Sequence, residues 1–214
     1  MLRPSYRWSM NRLVIFAIDI DDVRDIFGAD PALAERLRSV VAAHFSGPTP
    51  SKRSWFKPML RRDPDTEVRT DRPLRGDVDA LLSGGHIAPD RAQACWQVFT
   101  VWLEELSSAH QEVPYDPALF ERIEWDLARS GLNSDYSLRR LADRQLGTPL
   151  RPLPDQVAGY AKSVHVAETA EALELAMQST EMTAETRDFI EPIRRVLGVA
   201  VANGLDVVVI GSVN

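Results

Sequence analysis

Apolar residues along the chain fall into two kinds of run. The first kind is short, dense and rich in β-branched residues: RLVIFAI at 12–18 and LDVVVIGSV at 205–213. Both read as buried strands, the second needing cover on both faces. A third stretch, YAKSVHV at 160–166, alternates enough to predict another strand. The second kind recurs every three or four residues and predicts helices. Asp30-Pro31 places an N-cap before a proline at the first helical position, and Leu33, Leu37, Val40 and Val41 follow at helical spacing to about His44. Asp116-Pro117 repeats that signal, with Phe120, Ile123 and Leu127 defining a helix that ends near Gly131.

Between these lies a helix from about Pro89 to Leu106, whose Cys95, Val98, Phe99, Trp102 and Leu106 form one apolar stripe. Trp96, Val101 and Leu103 widen that stripe, so the helix is expected at the centre, buried on more than one side. Shorter helices are predicted over Leu74–Leu82, closed by Gly84-Gly85, over 135–146 and over 168–178. A long one runs from Thr183 to about Asn203 and stops at Gly204. Pro192 inside it should kink or restart it, because its ring removes a backbone hydrogen bond. The elements together predict an α+β fold: a predominantly helical single domain around a small sheet. The strands near 12–18 and 205–211 should be neighbours in that sheet, joined by 160–166, and the final helix and the Trp96/Trp102 helix should cover it.

Length supports one domain over 11–214, with 1–10 as an N-terminal extension and Met10 as an alternative start. The single cysteine, Cys95, forms no internal disulfide, which fits a reducing cytoplasm. No run approaches the roughly 20 apolar residues of a membrane helix, and the basic N-terminus leads into too short an apolar stretch for a secretory signal. The net charge of −6 argues against a dedicated nucleic-acid binder. Only three of the 25 basic residues are lysines, a skew that reflects a GC-rich genome more than chemistry.

The sharpest chemical candidate is LVIFAIDIDDVRDIFG at 13–28. Asp19, Asp21 and Val23 match the short D-x-D-x-V pattern of haloacid-dehalogenase-like phosphotransferases, and VVVIGS ending in Ser212 resembles their second motif. That chemistry also needs a lysine and a further acidic pair for Mg²⁺ beyond the second motif, and Asn214 follows almost at once. Capping requires nothing more: Asp19 or Asp21 starts a helix with Val23, Ile26 and Phe27 on its apolar side and Gly28 at its end. The expectation is that these aspartates serve backbone amides.

His44, His86, His110 and His165 are scattered, with no zinc-ligand spacing, and Cys95 sits on an apolar stripe. There is no P-loop, G-x-G-x-x-G or G-x-S-x-G. Glu104/Glu105 and Glu121/Glu124 read as solvated charges on outer helix faces. No metal or cofactor is expected. The one long irregular segment, 46–73, holds five prolines. Within it SKRSWFKPMLRR (51–62) interleaves cations with aromatics, and Lys52, Arg53, Trp55, Phe56, Lys57, Arg61 and Arg62 are the candidate partner-binding residues. Such a stretch suits an acidic protein surface, or phosphates and bases.

The order and wording of several segments carry a family resemblance. They are LVIFAIDIDDVRDIFG, VDALLSGGHI (78–87), CWQVFTVWLEEL (95–106), VAGYAKSVHVAETAEAL (157–173) and TRDFIEPIRRVLGVAVANGLDVVVIG (186–211). In these the chain resembles an uncharacterised family common in actinobacteria, itself similar to the YfbM-like bacterial proteins. The resemblance covers about three-quarters of the chain; the 46–73 segment and the first nine residues fit less well. It implies a fold and no catalytic residue. The leading functional expectation is a non-enzymatic cytoplasmic binding protein, immunity- or antitoxin-like, with a protein partner. The alternatives are a hydrolase or transferase acting on a phosphorylated small molecule through Asp19, Asp21 and the 52–62 arginines, or nucleic-acid binding through 51–62.

Overall fold

The computed structural model describes residues 12–45, 72–154 and 156–212. Four strands form one antiparallel sheet in the order β2-β1-β4-β3: β1 (Arg12–Ala17), β2 (Ala109–Pro114), β3 (Gln156–Ala161) and β4 (Val207–Ser212). Between β1 and β2 come α1 (Ile20–Asp25), α2 (Pro31–Phe45), α3 (Arg75–Leu82) and α4 (Ala92–Leu106). After β2 come α5 (Pro117–Arg129), two 3₁₀ turns at Ser134–Tyr136 and Leu138–Ala142, β3, α6 (Ser163–Met177), α7 (Ala184–Asn203) and β4. The fold is a single α+β domain, and the strands at the two ends of the described chain are neighbours at its centre.

Strand alternation divides the core. Leu13, Ile15, Ala17, Val207 and Val209 point into a core closed by α5, α6 and α7. Val14, Phe16, Ile18, Val208 and Ile210 point the other way, into a core closed by α1 to α4. Successive valines of β4 therefore feed opposite cores, and that is why the strand is apolar at every position from Val207 to Ile210. As the sequence predicts, α7 covers one face, and α4, with Trp102 and Phe99 fully buried, covers the other. The Trp102 indole N–H donates to the Leu37 carbonyl at 2.9 Å, so the largest buried side chain leaves no polar atom unpaired.

Caps form where the sequence places them. Asp30 accepts from the amides of Ala32 and Leu33 (2.7 and 2.9 Å), Asp116 from that of Leu119 (2.8 Å), and Thr183 from that of Thr186 (3.3 Å). Helix α7 runs as one element through Pro192 and ends on Gly204 in the left-handed region, φ 65°.

Four points are corrected. The strand predicted at 160–166 lies earlier, and residues 163–166 are already helical. The 135–146 helix is replaced by the two 3₁₀ turns, which lead into a bridge between Arg144 and Tyr160. Glu124 draws the chain into these turns by accepting from the Leu138 amide at 2.8 Å. It is thus half-buried rather than solvated, and burial raises its carboxyl above the usual range. Gly159 permits the crossing: a Cβ there would stand 2.6 Å from the Ala142 carbonyl carbon and 2.8 Å from the Arg144 carbonyl oxygen. Finally, β2 was not expected at all. AHQEVP buries only Val113 and is a strand because β1 pairs with it.

Candidate functional site

The acidic turn sits where the C-terminal ends of β1 and β3 and the start of β4 meet, since Ala17, Val207 and Ala161 share one rung of the sheet. Asp19 is the N-cap of α1, its Oδ1 accepting from the Asp21 amide at 2.8 Å. Asp21 pairs with Arg24 at 3.1 Å. Asp22 is exposed; partial burial first, then the neighbouring carboxylates Asp19, Asp25 and Asp21, raise its carboxyl. Of the three, Asp19 alone accepts from a backbone amide, and Asp21 is held by an arginine side chain instead.

The hub of this end is a residue sequence reasoning did not single out. Asp206 is buried just before β4. Its Oδ2 accepts from the Ile20 amide at 3.1 Å and from Lys162 Nζ at 2.9 Å, and its Oδ1 from the Ser163 amide at 2.8 Å. One carboxylate thus satisfies otherwise unpaired first-turn amides of both α1 and α6. The hydrogen bond to Asp206 is the main reason the Lys162 ammonium is raised above its ordinary value, with the charges of Asp206, Asp21 and Asp19 adding to it. A charged residue at the mouth of a wholly apolar strand was the available signal.

Beside the hub, Arg24 lies over the Tyr160 ring at 5.5 Å and donates to the Leu146 carbonyl at 3.1 Å, tying α1 to the edge of the sheet. Beyond Tyr160 opens a basin of about 520 Å³. Arg140, Arg144 and Lys162 line it together with Asp135, Asp143 and Glu168, so its ionised side chains balance. It offers no net field for a phosphate.

The phosphotransferase arrangement is taken apart by strand direction. Because β4 runs antiparallel to β1, Ser212 pairs with Arg12, five rungs from Ala17. At about 3.3 Å per residue that is roughly 17 Å of strand between Ser212 and the end carrying Asp19. The candidate partner residues Lys52, Arg53, Trp55, Phe56, Lys57, Arg61 and Arg62 lie outside the described residues. Cys95 is buried, and desolvation, with Asp77 adding, pushes its thiol up to about 11. His165 approaches Glu168 at 3.9 Å. No group of three or more His, Cys, Asp or Glu among the described residues is arranged to hold a metal ion, and no helix among them is long and apolar enough to cross a membrane.

No family model, curated protein or solved structure matches this chain.

What remains distinctive is on the surface. Trp125 on α5 is 70% exposed, one wall of a shallow groove shared with Arg122, Thr183 and Glu185. The sequence held a clue: helical spacing puts Trp125 off the Phe120–Ile123–Leu127 stripe. Val164, Leu175 and Val201 are also exposed. All four belong to the α5–α7 layer, and Leu74, beside α3, is the only other large apolar side chain exposed among the described residues.

Proposed function

We propose that the protein is a cytoplasmic, non-catalytic binding protein that engages a protein partner through the outer surface of α5, α6 and α7, in the manner of an immunity protein or antitoxin. The observation that carries this reading is that four of the five exposed large apolar side chains among the described residues, Trp125 above all, lie on one of two helical layers. Tryptophan is a characteristic anchor of protein interfaces, and large apolar side chains left exposed on one side of a molecule are a usual mark of one. Charge supports a protein over a nucleic acid. The chain holds 31 acidic against 25 basic side chains, and the three helices of this layer hold nine against five. Such a surface repels a phosphate backbone. The acidic turn supports the non-catalytic part, because Asp19 is engaged with a backbone amide. Kinship with the YfbM-like proteins belongs to the same proposal and rests on element order and local wording.

The test is capture of a stoichiometric partner by the full chain at physiological salt, run beside Trp125→Ala. The expected result is a partner retained by the wild type and lost by the variant, with thermal stability unchanged. No stoichiometric partner for the wild type overturns the reading.

A further inference from the structure

Within that layer α6 differs from its neighbours. Helices α5 and α7 mix charges of both signs, whereas α6 carries three glutamates and neither lysine nor arginine. Its inner side buries Val166, Thr169, Leu173 and Ala176. Its outer side leaves Val164 71% and Leu175 63% exposed. The steps of four, three and four residues through Val164, Glu168, Glu171 and Leu175 place all four along one line of the helix surface. At 1.5 Å per residue the line is about 16 Å long. A large apolar side chain therefore stands uncovered at each end of that line.

We propose that this line docks a basic amphipathic helix of the partner, with two apolar side chains three turns apart meeting Val164 and Leu175 and Lys or Arg between them meeting Glu168 and Glu171. The inference rests on the partner-binding reading above and names the surface and the chemistry. Charge selects the occupant. Glu174 is engaged by Arg194 at 2.9 Å, but Glu168 has only His165, at 3.9 Å, and Glu171 makes no ion pair or hydrogen bond among the described residues. Glu168 stands on the rim of the basin lined by Arg140, Arg144 and Lys162, where Asp143 holds Arg140 and Asp206 holds Lys162, so both carboxylates still face outward between the apolar ends. A second copy laid antiparallel on the line would bring Glu168 of each copy against Glu171 of the other, and like charges in contact oppose association. An anionic membrane or nucleic acid is repelled in the same way. A basic helix satisfies both the apolar ends and the acidic middle, as in helix-in-groove recognition.

The test uses a labelled, helical leucine–lysine peptide with leucines eleven residues apart, titrated with the full chain at physiological salt and followed by fluorescence anisotropy. Saturable binding is expected, with none by the leucine–glutamate counterpart. Glu168→Lys with Glu171→Lys should weaken it at least tenfold. Val164→Ser with Leu175→Ser should do so too while leaving the charge untouched. Leu74→Ser, which alters the exposed leucine of the opposite layer, should leave affinity unchanged. Absence of binding, equal binding by the Val164/Leu175 variant, or equal affinity for polylysine of the same length overturns the inference. Capture of a partner that depends on Trp125 but survives the α6 substitutions sinks this inference and leaves the broader reading standing. Failure of wild-type capture sinks both.

Discussion

The two helical layers share one sheet and draw on alternate residues of the same strands, yet they finish their burial differently. In the α1–α4 layer, α4 buries every position from Ala94 to Leu103, and both of its indole N–H groups find carbonyls within the chain, those of Leu37 and Arg151. In the α5–α7 layer the only tryptophan points outward, and α6 exposes apolar side chains at both ends of its outer line. The difference teaches that neither hydrophobic content nor helix formation marks an interaction surface. What marks it is apolar area left over after the helix has covered its core.

The largest expected contrast is between two tryptophans. Trp102→Ala should cost about 3–5 kcal/mol, because a fully buried side chain leaves a cavity that the packed sheet cannot collapse around. Trp125→Ala should stay within about 0.5 kcal/mol. Urea midpoints of the two variants measure this, and a Trp125 cost near that of Trp102 would erase the distinction between the layers.

Next comes the link between them. Asp206→Asn should cost about 3 kcal/mol, since two helix-start amides, one from each layer, lose an ionised acceptor and Lys162 loses its counter-charge. Hydrogen exchange should show the first turns of α1 and α6 opening together. Protection lost from only one helix would mean that the layers are not joined at this point.

Acid should probe one buried carboxylate in each layer. Burial works to raise Asp77, but hydrogen bonds from Arg91 and the Leu74 amide hold its carboxyl below the usual range. Hydrogen bonds from Thr186 and Thr183, against a smaller effect of burial, do the same for Asp126. A folded carboxyl held below its unfolded value of about 3.9 contributes stability that is complete above that pH and lost as pH falls through the folded value. Stability should therefore drop below about pH 4, and Asp77→Asn and Asp126→Asn should each flatten that acid limb. A flattened limb in only one variant would show that the layers respond differently to acid.

The smallest effect concerns Thr169 of α6, fully buried with no hydrogen-bond partner for its hydroxyl among the described residues. Thr169→Val should stabilise the protein by about 1 kcal/mol by removing an unsatisfied polar atom. Destabilisation in a thermal melt would reveal a partner for that hydroxyl.

Much of the fold was legible because its signals are local. Asp30-Pro31, Asp116-Pro117 and the pair Thr183 and Gly204 mark helix ends within a few residues of themselves, and the dense runs at β1 and β4 announce burial without reference to any neighbour. The capping role of Asp19 was legible for the same reason. The start of α6 was not. Lys162 at its N-cap makes no side-chain cap, and the acceptor is Asp206, 43 residues beyond Ser163 and 186 beyond Ile20. Nor was β2, whose polar sequence has no alternating pattern and gains its form from β1.

By itself, then, the sequence determined the strongly patterned elements, β1, β4 and the long helices, where several of those helices are capped and that one strand must be covered on both faces, because periodicity and capping act over a few residues. Only the tertiary structure decided the strand order, the antiparallel pairing that carries Ser212 away from Asp19, the meeting of two helix starts on Asp206 and the outward stance of Trp125. Those outcomes depend on which distant surfaces pack together, and the free energy of that packing belongs to the whole sheet and its two layers rather than to any stretch of chain.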